Sequence, residues 1–517
     1  MALEPLPSGD WLRAVDLALR DSGTRVQRDS RICLAWRDKR TFKNLTYADG
    51  WSVGRIWLAP GRPAIGITAR RLYFLPSSDE VDKRREHEII SKIRPRSPIS
   101  TEQIDLQGDL LQRLKARLSS ETKLVDLDVV DPNLGDARRV LINASNSISP
   151  PESLNDLYRK YGFDQTPSEF TVSVCPLEEV RGDVADEFME RIKRAGDGRR
   201  LSVKVTKTSE RKVKESLQAI QGSDESAREG SCVLFVLPKK VQACRSETIA
   251  LFRSLEEAAV PFRRAYADDP LDYSIPDQLP SLLMAAGGRS HKSPTTASGK
   301  PVWTIGIDIG HRPERQYSPV VLTLVDPDGG LVSAWSKRQP RDETLRDHTI
   351  SVLLEECSRY LSDRRDASIV ILRDGRVFEN ENIDLYNRML GTNISVFEYR
   401  KRGNPQMLWA NDARNAVREP LAAAVPGTTT LFVITAPARN DITLASVAKV
   451  TWRDEWNGLG LKPGEIARIL AASAAAPGLG LHARHVPAAI YWADGIAGAS
   501  AQDLRFWGIP VEQIGGN

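Results

Sequence analysis

The sequence predicts an α/β protein in three parts: a small mixed α/β region over 1–160, a doubly wound parallel sheet over 165–290, and a mixed sheet over 300–517. Three observations predict it. From residue 170 onward, apolar strand-like runs alternate with helix-period segments. Two polar breaks divide the chain, Ser-Ile-Ser-Pro-Pro at 147–151 and the Ser/Thr-rich stretch Arg289–Lys300, which reads as a linker. After the second break, three strands follow one another before the next helix. The length of 517 residues and a hydrophobic content of 41% fit about three domains with full cores.

In the first part, Trp11–Arg20 reads as a helix and Arg31–Trp36 as a strand. Gly54–Pro76 reads as a strand broken at Pro60-Gly61 and Pro63, Thr101–Leu118 as a helix, and Leu124–Val130 as a strand. The basic tracts Lys83-Arg84-Arg85 and Lys92–Arg96 read first as a solvated face. In the second part the strands are Phe170–Val174, Leu201–Lys207, Cys232–Leu237 and Pro261–Tyr266. The helices between and after them are Asp183–Arg194, Ser209–Ile220, Ser246–Ala258 and Pro276–Ala286. In the third part, strands Val302–Ile309, Pro319–Asp326 and Leu331–Lys337 precede a helix over Glu343–Ser362. Strand Ala367–Arg373, helix Ile383–Leu390 and strand Ser395–Arg400 follow. Three hairpin-linked strands, a helix and a further strand is the order of an RNase H-like fold.

Composition narrows the function classes. Lys and Arg number 72 against 68 Asp and Glu, a net charge of +4, so local basic tracts carry more information than the total. No apolar run approaches the ~20 residues of a membrane helix, and the start of the chain lacks the apolar core of a secretory signal. Five scattered cysteines with no CxxC argue against a disulfide framework or a cysteine zinc site, and favour a reducing cytoplasm.

Two aspartates stand where chemistry is expected. Asp308 lies within the strand Ile-Gly-Ile-Asp-Ile-Gly-His, and Asp374 directly follows Ile-Val-Ile-Leu-Arg. In such a sheet the two strands are neighbours, so both carboxylates can meet at one Mg²⁺, an ion that prefers oxygen ligands. Carboxylates clustered around metal can activate water and stabilise the leaving oxygen of a phosphodiester. Each acid also has a plainer reading. Gly-Ile-Asp-Ile-Gly could be the first phosphate motif of an actin-like ATPase or sugar kinase, and Asp374-Gly375 could simply open a turn. The ATPase motif expects Thr, Ser or Asn after the glycine and a second Asp-x-Gly-Gly strand. His311-Arg312-Pro313 follows instead, and no second motif appears.

Four stretches together resemble the PIWI domain of Argonaute proteins: 305–311, Leu-Arg-Asp-Gly-Arg at 372–376, Tyr-Arg-Lys-Arg-Gly-Asn-Pro-Gln-Met-Leu at 399–408, and Val-Pro-Ala-Ala-Ile-Tyr-Trp-Ala-Asp-Gly-Ile-Ala at 486–497. The resemblance covers about 170–517 and implies a Rossmann-like MID domain followed by an RNase H-like PIWI domain. The length available before residue 165 matches the short prokaryotic type. Active members resemble one another in an acidic set, which maps here onto Asp308, Asp374 and Asp494. A mobile Glu "finger" completes the set and falls on Glu343 at the start of the helix, with Glu355 or Glu356 as the alternative. His482 and His485 are expected to take surface or packing roles rather than to ligate. The cofactor implied is Mg²⁺ or Mn²⁺. The partners implied are a short guide strand, a complementary target strand and a separately encoded effector, with no membrane. The activity implied is guide-directed cleavage in defence against foreign DNA, or guide binding alone on behalf of that effector. For the guide 5′ end the family's positions fall on Arg253 and Arg263, while Ala285 replaces a usual lysine. Arg400, Lys401 and Arg402 match a basic stretch that touches phosphates. The resemblance leaves RNA or DNA open for both strands.

Overall fold

The computed structural model describes the chain outside residues 1, 5–10, 22, 29–31, 43–44, 60–61, 75–109, 111, 117–122, 125–126, 132, 139, 143–145, 149–153, 178–179, 221–229, 239–245, 259, 269–270, 312–315, 365, 392, 402–403, 405–419, 437–445, 480–483, 502–510 and 515–517. The described chain forms two compact units, one of 1–132 with 400–451 and one of 133–399 with 452–517.

The first unit is mainly antiparallel sheet. Strands β1 (Ala2–Glu4), β2 (Arg25–Arg28), β3 (Ile32–Trp36), β4 (Arg40–Phe42), β5 (Leu45–Ala59), β6 (Arg62–Phe74) and β7 (Lys123–Leu124) run in the order β2-β3-β5-β6-β1-β7, with β4 beside β5. The sequence reading of one broken strand over 54–76 is corrected here. β5 and β6 are two long arms of a hairpin, paired from Thr46↔Phe74 to Ala59↔Arg62. Pro63 is tolerated at the hairpin end, where the pairing register shifts. The helix Trp11–Asp21 buries Val15, Ala18 and Leu19 on this sheet, a spacing of three and four that makes one apolar stripe. Leu124–Val130 is not one strand. β7 pairs with β1, whereas β8 (Asp128–Val129) pairs with a later strand. The tracts Lys83–Arg85 and Lys92–Arg96 lie outside the described residues.

The second unit opens with the hairpin β9 (Val140–Ile142) and β10 (Asn146–Ile148). A parallel sheet follows, built from β11 (Thr171–Pro176), β12 (Lys204–Lys207), β13 (Ser231–Leu237) and β14 (Phe262–Tyr266) in the order β12-β11-β13-β14. Helices Gly182–Asp197, Glu210–Ile220, Ser246–Glu257 and Leu271–Ala285 connect and cover it. The last begins ahead of the expected Pro276 and keeps Pro276 and Pro280 inside it. Strand–helix alternation gives the doubly wound sheet that the sequence predicts. The stretch 289–300 is not a loose linker. Ser290, His291, Ser293 and Thr295 are buried, and β15 (Thr296–Ala297) pairs with the next strand. His291 is the centre of this packing. Its Nδ1 lies 2.7 Å from the Tyr158 hydroxyl, and its Nε2 lies 2.6 Å from the Ala475 carbonyl oxygen. Burial pushes the imidazole down to about 4, so it is neutral at pH 7.

The mixed sheet comprises β16 (Lys300–Ile309), β17 (Tyr317–Val325), β18 (Leu331–Pro340), β19 (Ser368–Asp374) and β20 (Ile394–Arg400), with β24 (Val511–Gln513) near the end of the chain. The order is β24-β18-β17-β16-β19-β20. β16, β17 and β18 form the expected antiparallel meander, and β19 and β20 add in parallel. This strand order is RNase H-like. Helix Asp347–Tyr360 packs on one face with Ile350, Leu353, Leu354 and Cys357. Helix Ala488–Ala501 lies against β16 and β17, where Ala488, Ala489 and Trp492 pack with Val325. Residues 400–451 belong to the first unit, where β21 (Leu421–Ala424), β22 (Thr430–Ile434) and β23 (Ala448–Thr451) run in the order β23-β22-β21-β8. The cysteines Cys33, Cys175, Cys232 and Cys357 are buried and unbridged. Among the described residues no helix is long and apolar enough to cross a membrane.

Candidate metal centre and nucleic-acid interface

Register alone brings the first two aspartates together. β16 and β19 are parallel neighbours with Ile307 opposite Arg373, so the next residues, Asp308 and Asp374, end side by side. Adjacent strands lie ~4.8 Å apart. The third arrives on the helix Ala488–Ala501, and the glycines around Asp308 explain how. A Cβ on Gly306 would meet the Ala489 carbonyl oxygen at 2.2 Å, and one on Gly310 would meet the Ala497 oxygen at 2.3 Å. The helix therefore crosses β16 at a distance only glycine permits. Thr323 Oγ1 donates to the Ala489 carbonyl at 2.8 Å and fixes the crossing. Asp494 lies between these two contacts in sequence. The glycines of Gly-Ile-Asp-Ile-Gly thus serve helix packing, which removes the main argument for an ATPase phosphate loop.

Carboxylate oxygens of Asp308, Asp374 and Asp494 lie within 4.8 Å of one another, and burial falls in that order. Asp308 Oδ1 accepts the Ile309 N–H at 2.8 Å. Beyond Asp374 the chain turns at Gly375, whose φ of +87° favours glycine, and the Gly375 N–H bonds the Tyr399 carbonyl at 2.9 Å. An all-oxygen, all-anionic donor set of this size suits a hard divalent cation.

Glu343 is not in that group. It lies exposed in the loop before the helix, which begins at Asp347 rather than at Glu343 as the sequence led us to expect. Its surroundings still point toward the cluster. Arg373 Nη2 donates to the Glu343 carbonyl oxygen at 3.0 Å, and Arg373 Nη1 donates to the carbonyl of Asp374. His311 lies within electrostatic reach of Glu343. Burial lowers the imidazole below its ordinary value, and Glu343 opposes that shift. Glu355 and Glu356 point elsewhere, since both carboxylates pair with Arg359 on the helix surface. Of the two histidines, His485 accepts the Tyr399 hydroxyl on its carbonyl at 3.2 Å, and His482 lies outside the described residues. The sequence reading missed Arg373, which donates to both carbonyls, and Glu381, whose carboxylate accepts the Leu345 N–H of the same loop at 3.3 Å. Arg373 had a signal, since it stands inside the Leu-Arg-Asp-Gly-Arg motif.

A second feature is a cavity of about 210 Å³ between the parallel sheet and the end of the mixed-sheet part, within the same unit. Arg263, Arg264, Asp277, Gln278 and Ser281 line one side, and Arg484, Tyr491 and Trp492 line the other. Arg263 donates through Nε to Ser281 Oγ at 3.0 Å. Burial pushes its guanidinium down to about 10, which leaves it charged at neutral pH. Three arginines against one aspartate make the cavity cationic. Arg253 is exposed on helix Ser246–Glu257 and does not line the cavity. Arg400 closes β20, Lys401 follows it half-buried, and Arg402 lies outside the described residues.

By sequence, neither a family model nor a curated protein matches the chain. By structure, it is similar to Drosophila Piwi, with a TM-score of 0.62 at 12% identity, covering 98% of this chain and 87% of that one. It is also similar to Marinitoga piezophila Argonaute in complex with 5′ OH guide RNA and target DNA, with a TM-score of 0.60 at 10% identity, covering 93% and 83%. An Argonaute with externally bound siRNA matches with a TM-score of 0.51 at 12% identity. This chain, 88% of it covered, spans 64% of that protein's length, and 63% of Aquifex aeolicus Argonaute in a further match. The α/β architecture built from these elements is therefore the MID–PIWI fold of Argonaute and Piwi proteins.

Proposed function

We propose that this protein holds a short guide strand and cleaves the complementary strand paired to it, by metal-dependent phosphodiester hydrolysis. The observation that carries the reading is the meeting of Asp308, Asp374 and Asp494 within 4.8 Å, drawn from two strands and a distant helix. Three carboxylates repel one another unless a cation offsets the repulsion. These three residues would hold Mg²⁺ or Mn²⁺, which when bound supplies charge neutralisation and Lewis-acid polarisation at the scissile phosphate. Glu343 would extend the acidic set from its loop, holding a water or accepting its proton.

Residues 165–290 would serve as the part that binds the guide 5′ end, and 300–517 as the part that carries the acids. The cationic cavity would receive the terminal phosphate, with Arg263, Arg264 and Arg484 as its donors. Arg253, Arg400, Lys401 and Arg402 would touch the backbone. Such contacts read phosphates and helix shape, while base pairing supplies sequence. The neighbour's complex of guide RNA with target DNA supports an RNA guide and a DNA target as the first pair to test.

The test is cleavage of a guide-matched DNA by purified protein loaded with a short RNA, in Mg²⁺ or Mn²⁺. Asp308→Ala and Asp374→Ala should abolish cleavage and leave guide loading intact. Guide-loaded wild type that cuts no matched strand, DNA or RNA, with either metal would refute the nuclease reading.

A further inference from the structure

We propose that Glu381 is a positioning residue: with Arg373 it clamps the loop that carries Glu343 against the end of β19, a role that rests on the nuclease reading above. Arg373 and Glu381 are both buried, at 4% and 2% side-chain exposure, and approach to 3.6 Å. Neither carboxylate nor guanidinium belongs in such a place without the other. A buried ion pair is poor packing material, because an apolar pair of similar volume usually serves stability as well or better. Its use here is visible in what its two ends hold.

Arg373 donates to the carbonyl oxygens of Asp374 and Glu343, and Glu381 accepts the Leu345 N–H at 3.3 Å. One ion pair therefore grips the loop on both sides of Thr344 and ties it to a residue of the acidic cluster. The rest of the loop is held the same way. Thr344 donates its N–H to Asp342 Oδ1 at 3.1 Å, and its carbonyl accepts Gln339 Nε2 at 2.9 Å. The segment 341–346 forms neither helix nor strand; the Arg341 N–H bonds the Gln316 carbonyl at 3.0 Å at its start, and side chains hold residues 343–345. A reacting group must be held within about 0.5 Å of its working place. Glu343 is exposed, so its backbone anchors do most to hold it. Glu381 keeps the anchoring arginine in position by its charge and takes the next amide itself. The pair also holds the Asp374 carbonyl and the Phe378 backbone, so it links this loop to the end of β19 and the segment after it.

The experiment uses the full chain and the variants Glu381→Gln and Glu381→Asp. Gln keeps the shape and an acceptor but loses the charge, and Asp keeps the charge. Amide hydrogen exchange over 341–346 should quicken at least tenfold in Glu381→Gln, with the remaining peptides unchanged, and Glu381→Asp should fall between that variant and wild type. Single-turnover cleavage by the guide-loaded protein at saturating target should drop about tenfold in Glu381→Gln at unchanged guide affinity. In a Glu343→Ala background the same substitution should slow cleavage no further, because it acts through Glu343. Unchanged exchange in the loop, or the same tenfold loss in the Glu343→Ala background, would overturn the clamp. Failure of wild type to cleave would sink the nuclease reading instead, and the exchange measurement, with quickened exchange in Glu381→Gln as its support, would still decide the clamp.

Discussion

The acidic cluster makes a prediction about stability that needs no substrate. Coulomb repulsion between unit charges 4.8 Å apart is about 3 kcal/mol at an effective dielectric constant of 20, and about 1 kcal/mol in water. Asp308 and Asp374 are the sheltered pair and belong near the first value, while pairs with exposed Asp494 belong near the second. Asp308→Asn removes both of its repulsions at nearly constant shape, so the metal-free protein should gain roughly 2–4 kcal/mol. At about 2 °C per kcal/mol for a unit of this size, Tm in EDTA should rise by roughly 5 °C. Divalent metal reverses the order. Mn²⁺ at a hundred times its Kd stabilises the wild type by about 2.7 kcal/mol, and the variant, short of one ligand, should gain little. The assay is a pair of melting curves for each protein, guide-free, in EDTA and in MnCl₂. A wild type whose Tm ignores Mn²⁺ would refute the reasoning, and so would an Asp308→Asn variant that melts below wild type in EDTA.

Other outcomes follow from the same geometry. Arg263→Ala and Arg484→Ala should each weaken loading of a 5′-phosphorylated guide by about tenfold and a 5′-hydroxyl guide much less, since a charge-assisted hydrogen bond is worth about 1.5–3 kcal/mol. Equal losses for both guides, measured by competition binding, would move the phosphate out of this cavity. Lys401→Ala with Arg402→Ala should weaken guide binding for every sequence and reduce its log–log salt slope by about one unit per lost contact. His291 sets a pH effect. Its folded value of about 4 lies below the ordinary 6.5, so between these pH values the unfolded chain takes up a proton that the native state refuses. Stability should therefore fall as pH drops from about 6.5 toward 4, by about 3 kcal/mol from this group, and His291→Gln should show a correspondingly flatter Tm profile. Parallel profiles for the two proteins would argue against it.

The strand and helix order of 170–400 was legible because its signals are local. Cys-Val-Leu-Phe-Val-Leu at 232–237 and Ile-Val-Ile-Leu at 369–372 are apolar runs that only a strand buried on both faces requires, and both are strands. The N-terminal region was read less well. In the sequence β5 and β6 are separated only by Pro60-Gly61, which looks the same as a break within one strand. The stretch 289–300 was misread for the opposite reason. Its Ser and Thr are polar, so they look solvated, but their hydroxyls are consumed inside the fold, as Ser293 Oγ is by the Ala472 carbonyl at 2.6 Å. Composition counts polar atoms and cannot see which partners the tertiary structure supplies.

The site divides along the same line. Asp308 and Asp374 could be placed from sequence because a strand end is a fixed address: once β16 and β19 are parallel neighbours, register alone sets the carboxylates side by side. Asp494 was reached only through the family resemblance of 486–497; Gly306 and Gly310 record the approach of its helix by the absence of a side chain, a signal that becomes readable once the structure is known. Glu343 had no such address. A loop takes its position from whichever side chains reach its amides and carbonyls, and here those come from nearby Gln339 and from Arg373 and Glu381, which are distant in sequence, all ordinary in type. Asp308, Asp374 and Asp494 are held by the secondary structure that displays them. Any acid that must move, or be placed after the sheet has formed, is held by a network that only the folded chain contains. The part of such a site open to substitution without loss of fold is therefore the loop and its clamp, and that is where variation in activity at constant stability should concentrate.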